Sequence, residues 1–146
     1  FNIESSLKNE LLNLYKILSP YPEVENVLTN LKEKKFKLAI LSNGTPTLLE
    51  ELVKNNNLNN LFDDLFSVEE VKIYKPNSKV YDLPIKKYKI KPEEIIFLSA
   101  NTWDVSGGGN YGYNSVWVNR SKSHFDNLDY HPKNEIGNLT QLLDIV

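Results

Sequence analysis

The sequence contains no cysteine. That excludes disulfides, thiolate metal sites and a cysteine nucleophile, and it fits a cytosolic (cytoplasmic) protein. It also contains no methionine and opens on Phe1, so the reading expected here is that it begins inside a longer frame. The charged, apolar and small-residue regions of a signal peptide are lacking at its start. Its longest apolar runs are far too short to cross a bilayer, so no membrane partner is expected. Basic and acidic residues, 17 and 19, are mixed along the chain and leave a net charge of −2. With no basic stripe and no block of one sign, neither a nucleic-acid partner nor a charged tail is expected. What remains is ordinary for a globular protein: 146 residues, 40% hydrophobic and 25% charged, enough to bury a core.

Apolar periodicity organises the chain. Ile3, Leu7, Leu11, Leu14, Tyr15 and Leu18 recur at helical spacing until Pro20-Tyr21-Pro22. Val24, Val27, Leu28 and Leu31 predict a second helix. Residues 36–41 predict a buried strand that ends in Ser42-Asn43-Gly44-Thr45-Pro46. Thr45 is suited to cap the next helix and Pro46 to its first turn, with Leu48, Leu49, Leu52 and Val53 facing inward. A short strand is predicted over 65–68, then a helix carrying Val80, Tyr81 and Ile85. Pro84 predicts a kink or shortening of that helix. Further strands are predicted at 95–98 and 115–118. A terminal helix is predicted through Leu139, Leu142, Leu143 and Ile145. Short strands alternating with helices predict an α/β fold, a parallel sheet with helices on both faces. Ligands in such sheets bind beyond the carboxyl ends of the strands.

Polar clusters fall at those ends: Ser42 and Asn43 after one strand, Ser99, Asn101 and Asp104 after another. Each has a bland reading. Ser42-Asn43-Gly44 is good turn sequence, Lys75 before a proline suits a solvated loop, Tyr81 suits a core, and Asp104 favours the positive end of a helix. Taken together, a strand-end serine, a loop lysine and an acid after another strand can converge on one pocket. Gly107-Gly108-Gly109 is not a phosphate loop, because no Lys-Ser/Thr follows and the dinucleotide glycine spacing is absent.

The order of these motifs resembles a known family. SNG at 42–44, YKP at 74–76, VYDL at 80–83, S-x-N-x-W-D at 99–104 and WVNR at 117–120 resemble the L-2-haloacid dehalogenases of the haloacid dehalogenase superfamily. The SNG strand end is shared widely in that superfamily, whereas S-x-N-x-W-D is specific to the dehalogenase branch. The resemblance implies a Rossmann-like core over 20–146 and the end of a helical cap over 1–19. It implies that Ser42 binds the substrate carboxylate and the nucleophilic carboxylate. Asn43 would help hold the carboxylate and the departing halide. Lys75 would neutralise the buried carboxylates; Tyr81, Ser99 and Asn101 would order the site and its water; Asp104 would activate that water; and Trp103 would wall the pocket. It implies a small 2-haloacid substrate, no cofactor and a homodimer.

Elementary chemistry agrees with those roles. A carboxylate nucleophile beside an anionic substrate needs a cation between them. The ester it forms needs a water activated by a second acid. Phosphatases of the superfamily resemble this chain up to the last motif, where they place two acids for Mg²⁺. Here Ser99 stands at the first of those positions, and metal-independent chemistry on a carbon–halogen bond is expected. A superfamily phosphatase, or an inactive remnant that binds small carboxylates, are the alternatives. Gly107 and Gly112 follow the family pattern, whereas positions 108 and 109 usually hold better helix formers.

Two family features are absent. The nucleophilic aspartate sits in a D-x-x-G-T-type motif on the first strand, and no such motif occurs here. The arginine that receives halide is absent as well. The chain is therefore expected to correspond to the C-terminal portion of the enzyme, without its first central strand, and to be inactive alone. The strands at 36–41 and 95–98 would then face a vacant slot, and the isolated chain is expected to close it by pairing them directly, to borrow a strand from another chain, or to be marginally stable.

Overall fold

The computed structural model describes residues 3–146. They fall into two compact units, the first ending at Ser67 and the second running from Val68 to Val146.

In the first unit, α1 (Ser5–Tyr15) is shorter than its apolar period predicts and buries none of its residues. Leu7, Leu11 and Leu14 are about half exposed, at 55%, 58% and 50%. The lead-out of the helix is held by side chains of a later one: Asn55 and Asn56 donate to the carbonyls of Lys16 and Leu18, each at 2.8 Å. α2 (Val24–Glu33) buries Val27, Leu28 and Leu31, three of the four apolar positions its spacing marks. β1 (Ala39–Ser42) starts later than predicted and is at most half-buried. Phe36 lies before it, 38% exposed. The physical reason is pairing: β1 has one neighbour, β2 (Asp64–Ser67), parallel to it with Ala39 opposite Asp64 and Ser42 opposite Ser67. α3 (Pro46–Asn55) connects them. Thr45 accepts from the Leu48 amide at 3.3 Å and Pro46 occupies the first turn, as the sequence predicts. Its inward face is Leu49 and Val53, with Leu48 and Leu52 only half-buried.

Asp63 fastens this unit where β2 begins. Its carboxylate accepts from Lys32 at 2.8 Å, from Lys37 at 3.2 Å and from the Leu38 amide at 2.8 Å. The hydrogen bond from Lys32 is the main reason its acidity is strengthened, to a pKa of about 2.

In the second unit, a 3₁₀ turn (Val68–Glu70) leads to α4 (Ser78–Tyr88), capped by Asn77, which accepts from the Lys79 amide at 3.0 Å. α4 runs on for four residues past Pro84, so the proline does not shorten it. Pro84 is buried, as are Val80 and Tyr81, and burial of an apolar ring works against the cost of the amide hydrogen bond it cannot make. β3 (Ile96–Ser99), α5 (Thr102–Tyr111) and β4 (Asn114–Val118) form a parallel βαβ unit, with Ile96 opposite Asn114 and Ser99 opposite Trp117. Gly112 closes α5 at φ 116°, a conformation that suits glycine. β5 (Asn134–Ile136) pairs parallel to β4. Nothing in the sequence marks it, because three residues with two polar ones carry no strand signal. The terminal segment Leu139–Asp144 is 3₁₀ rather than α-helical and buries only Leu142.

Among the described residues the strands form two parallel sheets, β1-β2 and β3-β4-β5, each with a helical crossover as in a partial Rossmann-like fold. Among the described residues, β1 and β3 each have a single paired neighbour. The core of the second unit is built on fully buried Val80, Tyr81, Val105 and Val116.

Candidate functional site

In the first unit, Ser42 is the last residue of β1 and Asn43 follows it. Ser42 Oγ accepts from the Gly44 amide at 3.0 Å, while Ser67 Oγ donates to the Gly44 carbonyl at 2.7 Å. These two bonds tie the turn after β1 to the end of β2. Asn43 is exposed.

The second unit holds the remaining six predicted residues. The chain leaves β3 at Ser99, whose Oγ accepts from the Asn101 amide at 3.2 Å. Asn101 then caps α5 through its backbone, its carbonyl accepting from the Asp104 and Val105 amides at 3.0 Å each. Trp117 Nε1 donates to the Ala100 carbonyl at 3.1 Å, anchoring the bend from β4. Asp104 therefore sits in the first turn of α5, at the positive end of the helix, and only 4% exposed. Trp103, its neighbour, is 41% exposed.

Asp104 does not fold back onto the helix end. Its Oδ2 accepts from Lys75 Nζ at 2.8 Å and its Oδ1 from the Tyr81 hydroxyl at 2.8 Å. The ion pair is dry, with the Lys75 and Asp104 side chains 7% and 5% exposed. Bringing two charges out of water is costly unless both are well paired, so each charge here depends on its contact with the other, and Asp104 also on the Tyr81 hydroxyl. Burial, then the charge of Asp104, holds the Tyr81 phenol far above its ordinary pKa, and it stays a donor. The Tyr81 hydroxyl–Asp104–Lys75 array is thus a fixed chain of two donors on one carboxylate. Each carboxylate oxygen keeps a further lone pair, so Asp104 can still accept from a water.

Two neighbours of this array were not found from the sequence. Lys75 Nζ stands 5.3 Å from the centroid of the Phe97 ring, a cation–π contact. Phe97 read only as a strand core residue. Tyr113 donates from its hydroxyl to the Tyr81 carbonyl and packs edge-on against the Tyr81 ring. Burial raises the Tyr113 phenol as well. Nothing in the local sequence marks Tyr113, since its partner lies 32 residues away.

Among the described residues, no three His, Asp or Glu side chains are grouped so as to hold a metal ion, and no helix is long and apolar enough to cross a membrane.

Residues 3–118 match the sequence profile of haloacid dehalogenase-like hydrolases. The chain belongs to that family. Within it, the chain is similar to an (S)-2-haloacid dehalogenase of Pseudomonas putida, 36% identical over 97% of this chain and 62% of the relative. Its fold is similar to the L-2-haloacid dehalogenase of Xanthobacter autotrophicus solved with chloropropionic acid covalently bound. That match has a TM-score of 0.92 and 26% identity, over 99% of this chain and 68% of that one. A haloacid dehalogenase-type phosphatase from Thermococcus onnurineus matches with a TM-score of 0.80 and 28% identity, over 93% and 62%. The chain thus spans less than two thirds of the Pseudomonas putida dehalogenase.

Proposed function

We propose that this haloacid dehalogenase-like chain carries the ester-hydrolysing half of an (S)-2-haloacid dehalogenase site. The observation that supports this reading most is the Asp104 carboxylate held between Lys75 and the Tyr81 hydroxyl, beside the uncharged strand end Ser99-Ala100-Asn101. A nucleophilic carboxylate, supplied from a D-x-x-G-T strand outside these 146 residues, attacks C2 of the haloacid from the side opposite the halogen. The C–halogen bond breaks, halide leaves with its electron pair, and an aspartyl ester with inverted C2 remains. Water then adds to the ester carbonyl, giving one proton to Asp104. The ester C–O bond breaks and the (R)-2-hydroxyacid leaves after regaining a proton.

Each of the eight site residues expected from the sequence has a part in this scheme. Lys75 offsets the gathered negative charge, which would otherwise repel an anionic substrate. Tyr81 orients Asp104. Ser99 and Asn101 orient the water, and Trp103 walls the pocket. Ser42 and Asn43 bind the substrate carboxylate, with Asn43 also receiving halide. Residues 1–19 form the end of the cap, 20–146 form the core, and two copies pair as a homodimer. Ser99 favours this reading over phosphoryl transfer, because a hydroxyl and an amide around one acid make a weak Mg²⁺ cage.

Chloride release from (S)-2-chloropropionate tests it. The 146-residue chain alone is expected to release none. Joined to an upstream segment bearing the D-x-x-G-T strand and the rest of the cap, it is expected to release chloride and (R)-lactate with EDTA present. Mg²⁺-dependent release of phosphate from p-nitrophenyl phosphate, without chloride release, would identify a phosphatase instead. Binding of the acid with neither release would identify a remnant.

A further inference from the structure

The three consecutive glycines of α5 have no role in the scheme above, and helix propensity argues against them. None takes a positive φ, so the backbone alone does not require glycine at 107, 108 or 109. What surrounds them does. A Cβ on Gly107 would lie 2.5 Å from the Tyr81 hydroxyl oxygen, 3.2 Å from its Cζ and 2.8 Å from Pro76 Cβ. A Cβ on Gly108 would lie 2.6 Å from the Phe97 ring. A Cβ on Gly109 would run into the ring of Tyr130.

Position 107 is the one that bears on chemistry. Asp104 and Gly107 are three apart on a helix and share a face. Every Cα–Cβ bond of a helix tilts toward its N-terminus, so a side chain at 107 would point back over the turn that carries Asp104. The Tyr81 hydroxyl, which donates to Asp104 Oδ1 at 2.8 Å, lies where that side chain would begin. The second close neighbour, Pro76, is bonded to Lys75, whose ammonium holds the other oxygen of Asp104.

We propose that Gly107 is a positioning residue: its missing side chain seats the Tyr81 hydroxyl on Asp104 and keeps Lys75-Pro76 close enough to hold the other carboxylate oxygen. Gly107→Ala improves helix propensity, yet it displaces the hydroxyl and so misplaces the acid. The catalytic consequence rests on the reading of Asp104 as the acid that activates water; the seating itself does not.

The test separates the two. In the 146-residue chain, the buried Tyr81 hydroxyl proton is expected as a slowly exchanging low-field proton resonance, assigned by its loss in Tyr81→Phe. Gly107→Ala is expected to lose or shift it while the far-ultraviolet circular dichroism stays native. Gly109→Ala, which crowds Tyr130 instead, is expected to keep it. No such resonance in the unmodified chain, an unmoved one in Gly107→Ala, or an equal loss in Gly109→Ala would each overturn the proposal. If Gly107→Ala does not fold, the double variant with Tyr81→Phe decides. Removing the hydroxyl relieves the shortest contact and leaves the 2.8 Å approach to Pro76 Cβ, so the double variant is expected to be more stable than Gly107→Ala, and an equal loss of stability in the two overturns the seating. In the chain joined to its upstream segment, Gly107→Ala is expected to lower kcat about 10²-fold, as for a misplacement of about 1 Å. KM should change far less. An unchanged kcat with the resonance lost refutes the catalytic consequence of the proposal, whereas absence of chloride release from the unmodified joined chain refutes the dehalogenase reading and leaves the seating to the resonance.

Discussion

A lysine and an aspartate that would be ordinary at a surface become demanding when both are 7% exposed or less. Removing one partner strands the other charge in a dry site, which costs about 3–5 kcal/mol, whereas replacing both with apolar groups of similar volume is often nearly neutral. Lys75→Met is therefore expected to lower the urea midpoint of the second unit sharply. The double variant Lys75→Met/Asp104→Leu is expected to recover much of that loss. Additive losses in the double variant would show that the two side chains do not act as a pair. Tyr81 is coupled to the same carboxylate, but as a neutral donor, so its loss is expected to be milder for stability than the loss of Lys75.

Elements depend on fewer and more local contacts. Asp63 joins the end of α2, the approach to β1 and the start of β2 through Lys32, Lys37 and the Leu38 amide. Its pKa is depressed to about 2, so folding binds it preferentially as the anion. The stabilisation it brings is complete above the ordinary carboxylate range near 4 and is lost as pH falls toward 2. Asp63→Asn is expected to lower stability at pH 7 by about 1–2 kcal/mol and to flatten the pH dependence of unfolding between about 4 and 2. Chemical denaturation at several pH values reads both effects. At the start of α3, Thr45→Ala is expected to cost about 1 kcal/mol, since the Leu48 amide loses its acceptor. The opposite outcome is expected in α1, which buries nothing. Leu11→Glu there should change stability by no more than about 0.5 kcal/mol, as is usual for surface positions, in thermal unfolding. A larger loss would mean that α1 is packed.

At the scale of the whole molecule, the two sheets leave β1 and β3 with one paired neighbour apiece. Strands with an open edge expose alternate amides to water. On the proposed reading, a first strand from an upstream segment supplies the missing partners. Hydrogen exchange is expected to find alternate amides of Ala39–Ser42 and Ile96–Ser99 exchanging quickly in the 146-residue chain. They should become protected in the chain joined to its upstream segment. Protection that does not change on joining would argue against that strand's place in the sheet.

The sequence by itself determined where most elements lie, because apolar period, caps and proline act over a few residues. Thr45-Pro46 announced α3, and the strand-end polar residues 42–43 and 99–104 were found by position alone. It also determined the family, through side-chain identities at fixed spacing. It misjudged the depth of β1, since a run of apolar residues reports composition and not how many edges are paired. It missed β5, whose pairing comes from β4 rather than from its own residues. Only the tertiary structure decided that Lys75 and Tyr81 meet on Asp104, from 29 and 23 residues away. It also decided that Gly107 is bare because a tyrosine hydroxyl fills its place. Contacts of that kind depend on how β3, α4 and α5 pack together, and packing is a property of surfaces brought together by folding, which no local window of sequence contains.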